Sequence, residues 1–401
     1  MSRGEMLRRD GHGVRTARTA LALSLAAAAL TLTAAVLSAC ATSADMRPEI
    51  GTGWCSDSEP LTLTYDGLRA EEPAEITWIA SDHEGAREAS AAWCSVVGPP
   101  VVIPEPHPVL AGAPTTDEFV AGAWNIWMGA ADVEAFLLDR LGLRCNDGAP
   151  VIEGGFRHFA LMLQEVHHQS PLVPDVERGA PVPWGIHPEE GLHEEADIVD
   201  IAQRCGLALA YVPSARNGWE GADGLGEDKG NAILSSLPLR DVTAIDLPFE
   251  GGRKVAVAAS VGLPSSTGET RLDLTTVHLD VASTLVRTLM TGNQTRIRQA
   301  RGMLDGLEVG GFTRHAAVVG GDFNTWVSRD ASLKAVADQY PESPPVGPEA
   351  TRGPFPADHI FFRSGPDGRP TVAADSYVTV DDDYGSDHKA RLLVLQFSQP
   401  E

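Results

Sequence analysis

The sequence of 401 residues is poor in positive charge, in cysteine and in aromatic side chains, which make up 6% of it. Its 31 Lys and Arg stand against 55 Asp and Glu, for a formal charge of −24. That balance excludes a protein that coats nucleic acid through a broad basic face. It does not exclude an enzyme that brings phosphate into one cation-filled cleft. Only five cysteines occur, and no two are close enough to form a zinc knuckle. There is no internal repeat. The glycine-rich run 221–226 lacks the Lys-Ser/Thr ending of a phosphate loop. His193-Glu194-Glu195-Ala196-Asp197 lacks the second His of a zinc-protease helix. What is abundant is apolar material, 43% of residues, interrupted by 40 Gly and 28 Pro. A chain of this kind packs a core from many short elements, which counts against disorder and against long helical bundles.

The first forty residues read as an address. Residues 1–18 hold five Arg and two acids, and residues 19–39 carry no charge and are rich in Ala and Leu. A basic start followed by an apolar stretch is an export signal. The stretch is also long enough for an anchor helix, the competing reading. Its ending, Leu37-Ser38-Ala39-Cys40, resembles the lipobox of bacterial lipoproteins. The resemblance implies removal of a signal peptide at 1–39 and a lipid anchor on Cys40. The expected location is the outer face of a bacterial membrane. The mature chain would then carry 26 bases and 53 acids.

Four cysteines remain: Cys55, Cys94, Cys145 and Cys205. Four allow three pairings, and the alternative is four buried thiols. Neighbour pairing, Cys55–Cys94 and Cys145–Cys205, is expected because each pair lies in one segment. Residues 40–115, Pro-rich at their end, read as a tether plus a small disulfide-held element packed on the main domain. From 116 to 401 apolar runs of strand length alternate with helical stretches. Strands are expected at 119–124, 159–163, 207–212, 232–235, 255–263, 272–279, 316–319, 359–362, 377–380 and 390–397. Helices are expected at 132–141, 194–205, 294–307 and 332–339. Strands outnumber helices by more than two to one, so two sheets with helices outside fit better than one doubly wound sheet. The glycine-rich run 213–230 reads as a surface loop.

Six apolar runs end or begin at polar residues: Asn125, Gln164-Glu165, His278, Asp322 with Asn324, Asp358, and Ser386-Asp387-His388. Together with Gly230-Asn231-Ala232-Ile233-Leu234-Ser235, these motifs resemble the endonuclease/exonuclease/phosphatase superfamily, in family order over residues 117–398. Gly321-Asp322-Phe323-Asn324 and Ser386-Asp387-His388 are the specific ones. Val277, where Thr is common, and Ala357, where a larger aliphatic is common, are small departures that leave the chemistry untouched. The resemblance implies a mixed α/β (α+β) fold, a four-layered sandwich of two face-to-face sheets flanked by helices. It also implies metal-dependent hydrolysis of a phosphoester, a phosphodiester above all, on nucleic acid, a lipid head group or a small molecule.

The chemistry is consistent with that implication. Glu165, Asp322, Asp358 and Asp387 would repel a phosphodiester, since two charges 4 Å apart interact by roughly 4 kcal/mol at an effective dielectric of about 20. A divalent cation offsets this, and all-oxygen ligands suit Mg²⁺, with Mn²⁺ or Ca²⁺ as alternatives, rather than zinc. The family implies Glu165 as metal ligand with Asn125 and Asp387. Asp322 is the candidate to deprotonate water, steered by Asn324, while His388 paired with Asp358 donates to the phosphate. Alternatively the His388–Asp358 pair is the base. His278 would stabilise the phosphoryl group or protonate the leaving oxygen. Asn231 is expected to line the cleft, and Arg216, Arg253, Lys254 and Arg329 are candidates to grip phosphate. The expected enzyme is a monomer. A non-catalytic surface lipoprotein using the same scaffold to bind a partner is the alternative.

Overall fold

The computed structural model describes residues 48–397, apart from 52, 54, 82–86, 114–116, 148, 177–195, 218–223, 250–251, 266–267, 282–293, 345–348 and 374–375. The expected leader and Cys40 lie outside the described residues.

Two large sheets dominate. One has the strand order β1 (Glu49–Ile50), β3 (Thr77–Ala80), β11 (Arg240–Asp246), β12 (Val255–Ser265), β13 (Gly268–His278), β14 (Ala316–Asp322) and β15 (Asp358–Arg363). The other runs β16 (Thr371–Val372), β18 (Arg391–Gln396), β5 (Glu118–Asn125), β8 (His158–Ser170), β10 (Gly226–Ser235), β9 (Ala208–Arg216), β4 (Val101–Ile103) and β2 (Leu61–Thr62). A short β17 (Val378–Thr379) also pairs with β18, and β6 (Leu143–Arg144) with β7 (Val151–Ile152) makes a small separate ribbon. The helices are α1 (Arg87–Cys94), α2 (Pro108–Ala111), α3 (Val133–Leu141), α4 (Ile198–Arg204), α5 (Gln294–Val309) and α6 (Ala331–Ala337).

Alternation along each strand explains the layering, because successive side chains point to opposite faces. In β5, Phe119, Ala121 and Ala123 enter the core between the sheets, while Val120 and Trp124 face α3 and α4 with Phe136, Leu137, Ile198 and Ile201. In β14, Ala316 and Val318 enter the central core, and Ala317 and Val319 face Ala300, Met303 and Leu307 of α5 and Leu333 of α6. Both faces of each central strand are therefore buried, and the sequence shows continuous apolar runs rather than strict alternation. The result is the expected four-layered sandwich, helix–sheet–sheet–helix. Asp132, Asp197 and Asp330 cap α3, α4 and α6 by accepting backbone N–H bonds, which sets where each helix starts.

Two expectations are corrected. The described part of the segment ahead of residue 116 does not merely pack against the rest: it belongs to the same compact unit. Its β3 joins β11 in parallel, and its β4 joins β9 antiparallel, so it supplies strands to both sheets. The run 213–230 is not one loop either. Pro213 to Arg216 continue β9, and Gly226 to Gly230 begin β10, paired with each other and with β8. Gly226 and Gly230 reflect close backbone approach, not absence of structure. Both expected disulfides are formed, Cys55–Cys94 and Cys145–Cys205.

Candidate active site

Strand register builds the site. Parallel pairing of β13 with β14 sets His278 opposite Asp322, and antiparallel pairing of β14 with β15 sets Asp358 opposite Asp322 on the other side. One row across one sheet thus carries His, Asp and Asp. The approach of β14 to β13 is close enough that a Cβ on Gly321 would meet the Val277 carbonyl oxygen at 1.9 Å, so only glycine fits beside Asp322.

In the facing sheet, parallel β5 and β8 bring Asn125 opposite Gln164. The partner strand β10 pairs Asn231 with Gln164 and Gly230 with Val166, leaving Glu165 unopposed. Glu165 is therefore a bulge residue with φ +52°, a conformation that a non-glycine residue adopts only at some cost. The bulge aims its carboxylate at the row on the other sheet, with Oε1 3.8 Å from His278 Nε2. On its other side β10 needs glycine as well: a Cβ on Gly230 would lie 2.1 Å from the Val212 carbonyl oxygen of β9.

A continuous set of short contacts then links the motifs. His278 Nε2 is 3.6 Å from Asp322 Oδ2, which lies 3.7 Å from His388 Nε2. His388 Nε2 is in turn 3.7 Å from Asp387 Oδ1, and His388 Nδ1 is 2.7 Å from Asp358 Oδ2. Asn125 Nδ2 donates to Asp322 Oδ2 at 3.1 Å, and the Asn324 backbone N–H donates to Asp322 Oδ1 at 2.7 Å. Asn324, at φ +51°, donates its side-chain amide to the Leu279 carbonyl. The Ser386 hydroxyl donates to the Asn125 carbonyl and accepts from the His388 N–H, locking the Ser-Asp-His turn onto β5. The Trp124 indole N–H donates to the His388 carbonyl at 3.0 Å.

Burial and charge separate the roles of these groups. Burial and the nearby Asp358 charge push the Asp322 carboxyl up from 3.8 to about 7. Burial alone would lower His388, but the charge and hydrogen bond of Asp358, with Asp322 and Asp387 beyond, raise it to about 9. Burial, then the ammonium groups of Lys254 and Lys229, hold His278 well below its ordinary value. At neutral pH the site therefore pairs a cationic His388 with a neutral His278.

The donors suit a hard divalent cation. Glu165, Asn125 and Asp387 offer carboxylate and amide oxygens, and the buried Asp358 Oδ1 lacks a hydrogen-bond partner. Asp322, Asp358 and His388 also come close enough together to hold an ion. The 2.7 Å bond between His388 and Asp358 engages two of those atoms, however, and reads as a proton-bearing pair. In this structure Asn125 Oδ1 accepts from the Trp127 N–H, and Asp387 pairs with Arg352 at 2.9 Å.

Not every expected residue reaches the cleft. Arg216 is buried and donates to the Val96 and Pro174 carbonyls, so its guanidinium is closed to substrate. Arg253 is buried against Asp246. Asn231 is buried too, donating to the Val255 carbonyl of the facing sheet. Lys254 does line a pocket beside Glu165 and His278. Lys229 and Arg352 went unread in the sequence, where an isolated base between motifs carries no spacing signal.

The sandwich, the bulged Glu165 and the His–Asp–Asp row define a two-sheet α/β fold whose facing sheets bring a polar, acidic cleft together. The sequence profile of the endonuclease/exonuclease/phosphatase family matches residues 122–388, and the chain belongs to that family. Members of this family are in general metal-dependent phosphoesterases. Solved structures similar to it include an endonuclease/exonuclease/phosphatase from Beutenbergia cavernae, at 17% identity over 70% of this chain and 72% of that one, TM-score 0.45. The human Nocturnin catalytic domain with bound sulfate is similar at 16% identity over 71% and 97%, TM-score 0.42. A Bacteroides vulgatus family protein is similar at 14% identity over 70% and 99%, TM-score 0.43. No curated protein matches the sequence.

Proposed function

We propose that this protein is a divalent-cation-dependent phosphodiesterase, exported and held to the outer face of a bacterial membrane by lipid on Cys40. The observation that carries the catalytic reading is the convergence of Glu165, His278, Asp322, Asp358, Asp387 and His388 through contacts under 4 Å. Two disulfides support export, since such bonds persist in oxidising compartments.

Glu165 would hold Mg²⁺, with Asn125 and Asp387, and the ion would supply charge neutralisation at the phosphoryl oxygens. The chain's own residues do the rest. Asp322, raised to about 7, is poised to take a proton from water near neutral pH, and Asn324 fixes its other oxygen. His388 stays protonated and directs an Nε2–H that has no protein acceptor toward the phosphate. That favours Asp322 over the His388–Asp358 pair as base. His278 serves as a neutral donor. The test is hydrolysis of bis-p-nitrophenyl phosphate, abolished by EDTA, restored by Mg²⁺, Mn²⁺ or Ca²⁺, and lost in Asp322→Ala and His388→Ala. A folded, metal-supplied protein inactive across phosphodiesters, phosphomonoesters and nucleotides refutes the reading.

A further inference from the structure

The chain enters the fold at the catalytic end of one sheet. Glu49 of β1 pairs with Ala80 of β3, Ala80 with Asp246 of β11, and Asp246 with Val255 of β12. The next pair along β12 is Ala256 with Val277, the residue before His278. Glu49 thus stands level with His278, four strands away in the same row. Because β1 runs antiparallel to β3, whose Ala80 end lies at this row, Pro48 is on the cleft side of it. Seven residues separate Cys40 from Pro48, and the eight Cα–Cα steps between them reach at most about 29 Å. Strand β12 runs eleven residues from Val255 at the row to Ser265 at the far end, roughly 34 Å. With lipid on Cys40, the far end of this sheet cannot come down on the bilayer, because β1 would then stand beyond the reach of the tether.

The end that can come down carries exposed apolar side chains. Val281 follows β13 by three residues, Val327 follows β14 by five, and Phe355 precedes β15 by three. They are 53%, 58% and 39% exposed. Trp326 packs tilted against Phe355 with ring centroids 5.7 Å apart, and the Thr325 hydroxyl donates to the Pro356 carbonyl at 2.6 Å, joining the two loops. Bulky apolar groups on three neighbouring strand ends form a patch rather than scattered single residues. The charges around it do not draw anionic lipid. Arg329 is exposed, but Arg352 is paired with Asp387, and Asp280, Asp381, Asp382 and Asp383 stand at the same end. Contact through this patch therefore rests on apolar burial.

We propose that the loops at the catalytic end, through Val281, Trp326, Val327 and Phe355, make a second, apolar contact with the bilayer that holds the chain's own lipid, so that the cleft opens toward the headgroups. The lipid supplies most of the affinity and the patch fixes the orientation. Once the chain is tethered, the patch meets the surface as an intramolecular partner, for which weak contacts suffice. The inference rests on the anchoring half of the proposed function and not on the reaction.

The lipid-bearing protein, reconstituted in phosphatidylcholine vesicles, tests it. An environment-sensitive dye is placed at Val327→Cys or, as the far-end control, at Glu269→Cys near the start of β13. Brominated acyl chains should quench the dye at 327 and leave the dye at 269 bright. Adding phosphatidylserine should not increase the quenching. Equal quenching at both positions, none at 327, or quenching that appears only with phosphatidylserine overturns the docking. If Cys40 carries no lipid, it is the anchoring reading that fails. The patch is then judged by sedimenting the exported protein with phosphatidylcholine vesicles. Partitioning about tenfold weaker in Val327→Asp/Phe355→Ser, with an unchanged melting temperature, supports it. Absent binding, or binding unchanged in that variant, overturns it.

Discussion

Asp322→Asn should slow turnover by orders of magnitude while making the metal-free protein more stable. The Asp322 side chain is fully buried, and its carboxyl is raised from 3.8 to about 7 by burial first and by the Asp358 charge second. A shift of about three units at about 1.4 kcal/mol each means that ionised Asp322 costs the fold about 4 kcal/mol above pH 7. Asparagine removes that cost and keeps one oxygen for the Asn324 N–H, but it sets an amide NH₂ against Asn125 Nδ2. The lost hydrogen bond returns about 1–2 kcal/mol, leaving a net gain of about 2–3 kcal/mol. The sign with pH follows from proton binding. Between pH 3.8 and about 7 the native state holds a proton that the unfolded chain has released, so wild-type stability falls as pH rises through that window. The variant's advantage should be full at pH 8 and fade toward pH 4. Urea denaturation in EDTA at both pH values measures it, alongside an activity loss of roughly 10²–10⁴-fold expected for removing a general base. A variant less stable than wild type at pH 8, or an advantage that does not change with pH, would refute the account of a strained carboxylate kept for catalysis.

Other perturbations follow from the same geometry. Gly321→Ala places a methyl group 1.9 Å from the Val277 carbonyl, so β13 and β14 must part, and thermal melts should show a loss of about 2–4 kcal/mol with His278 displaced from Asp322. Asp197 accepts from His168 Nδ1 and from the N–H groups of Gln169, Val199 and Asp200. Asp197→Ala should therefore cost about 3 kcal/mol at pH 6, measured by denaturant titration. His168 gains its proton in the fold, so the part owed to this pair should be full below pH 6.5 and shrink as pH rises beyond. Cys145→Ser/Cys205→Ser opens a link across 60 positions and should lower stability by about 4 kcal/mol on the loop-entropy argument, read by melting with and without reductant.

The catalytic strand ends were the most legible part of the sequence. An apolar run that stops at Asp322 or His278 reports both a buried strand and a polar end, and two-sided burial makes such runs continuous. The ends of 213–230 were hidden because Gly230 is required by the closeness of Val212, a tertiary cause that looks locally like a loop signal. Strand β11, Arg-Asp-Val-Thr-Ala-Ile-Asp, begins and ends in charge and owes its place to neighbours on both sides. The lysines of the side pocket and Arg352 became visible only in three dimensions, since nothing in their sequence surroundings ties them to a motif. Arg216 shows the converse: a cation beside a glycine-rich stretch invites a role in phosphate binding, yet its side chain is buried and donates to backbone carbonyls inside the protein.

The way β3 and β4 close the two sheets sets a lower limit on what can fold. A fragment trimmed to residues 122–388 would lose those two strands, along with β1, β2, β18 and half of β5, and would uncover the hydrogen-bonding rims of β11 and β9 together. Bare rims recruit other chains. For this protein, the stretch that looks dispensable by family comparison covers both of those rims.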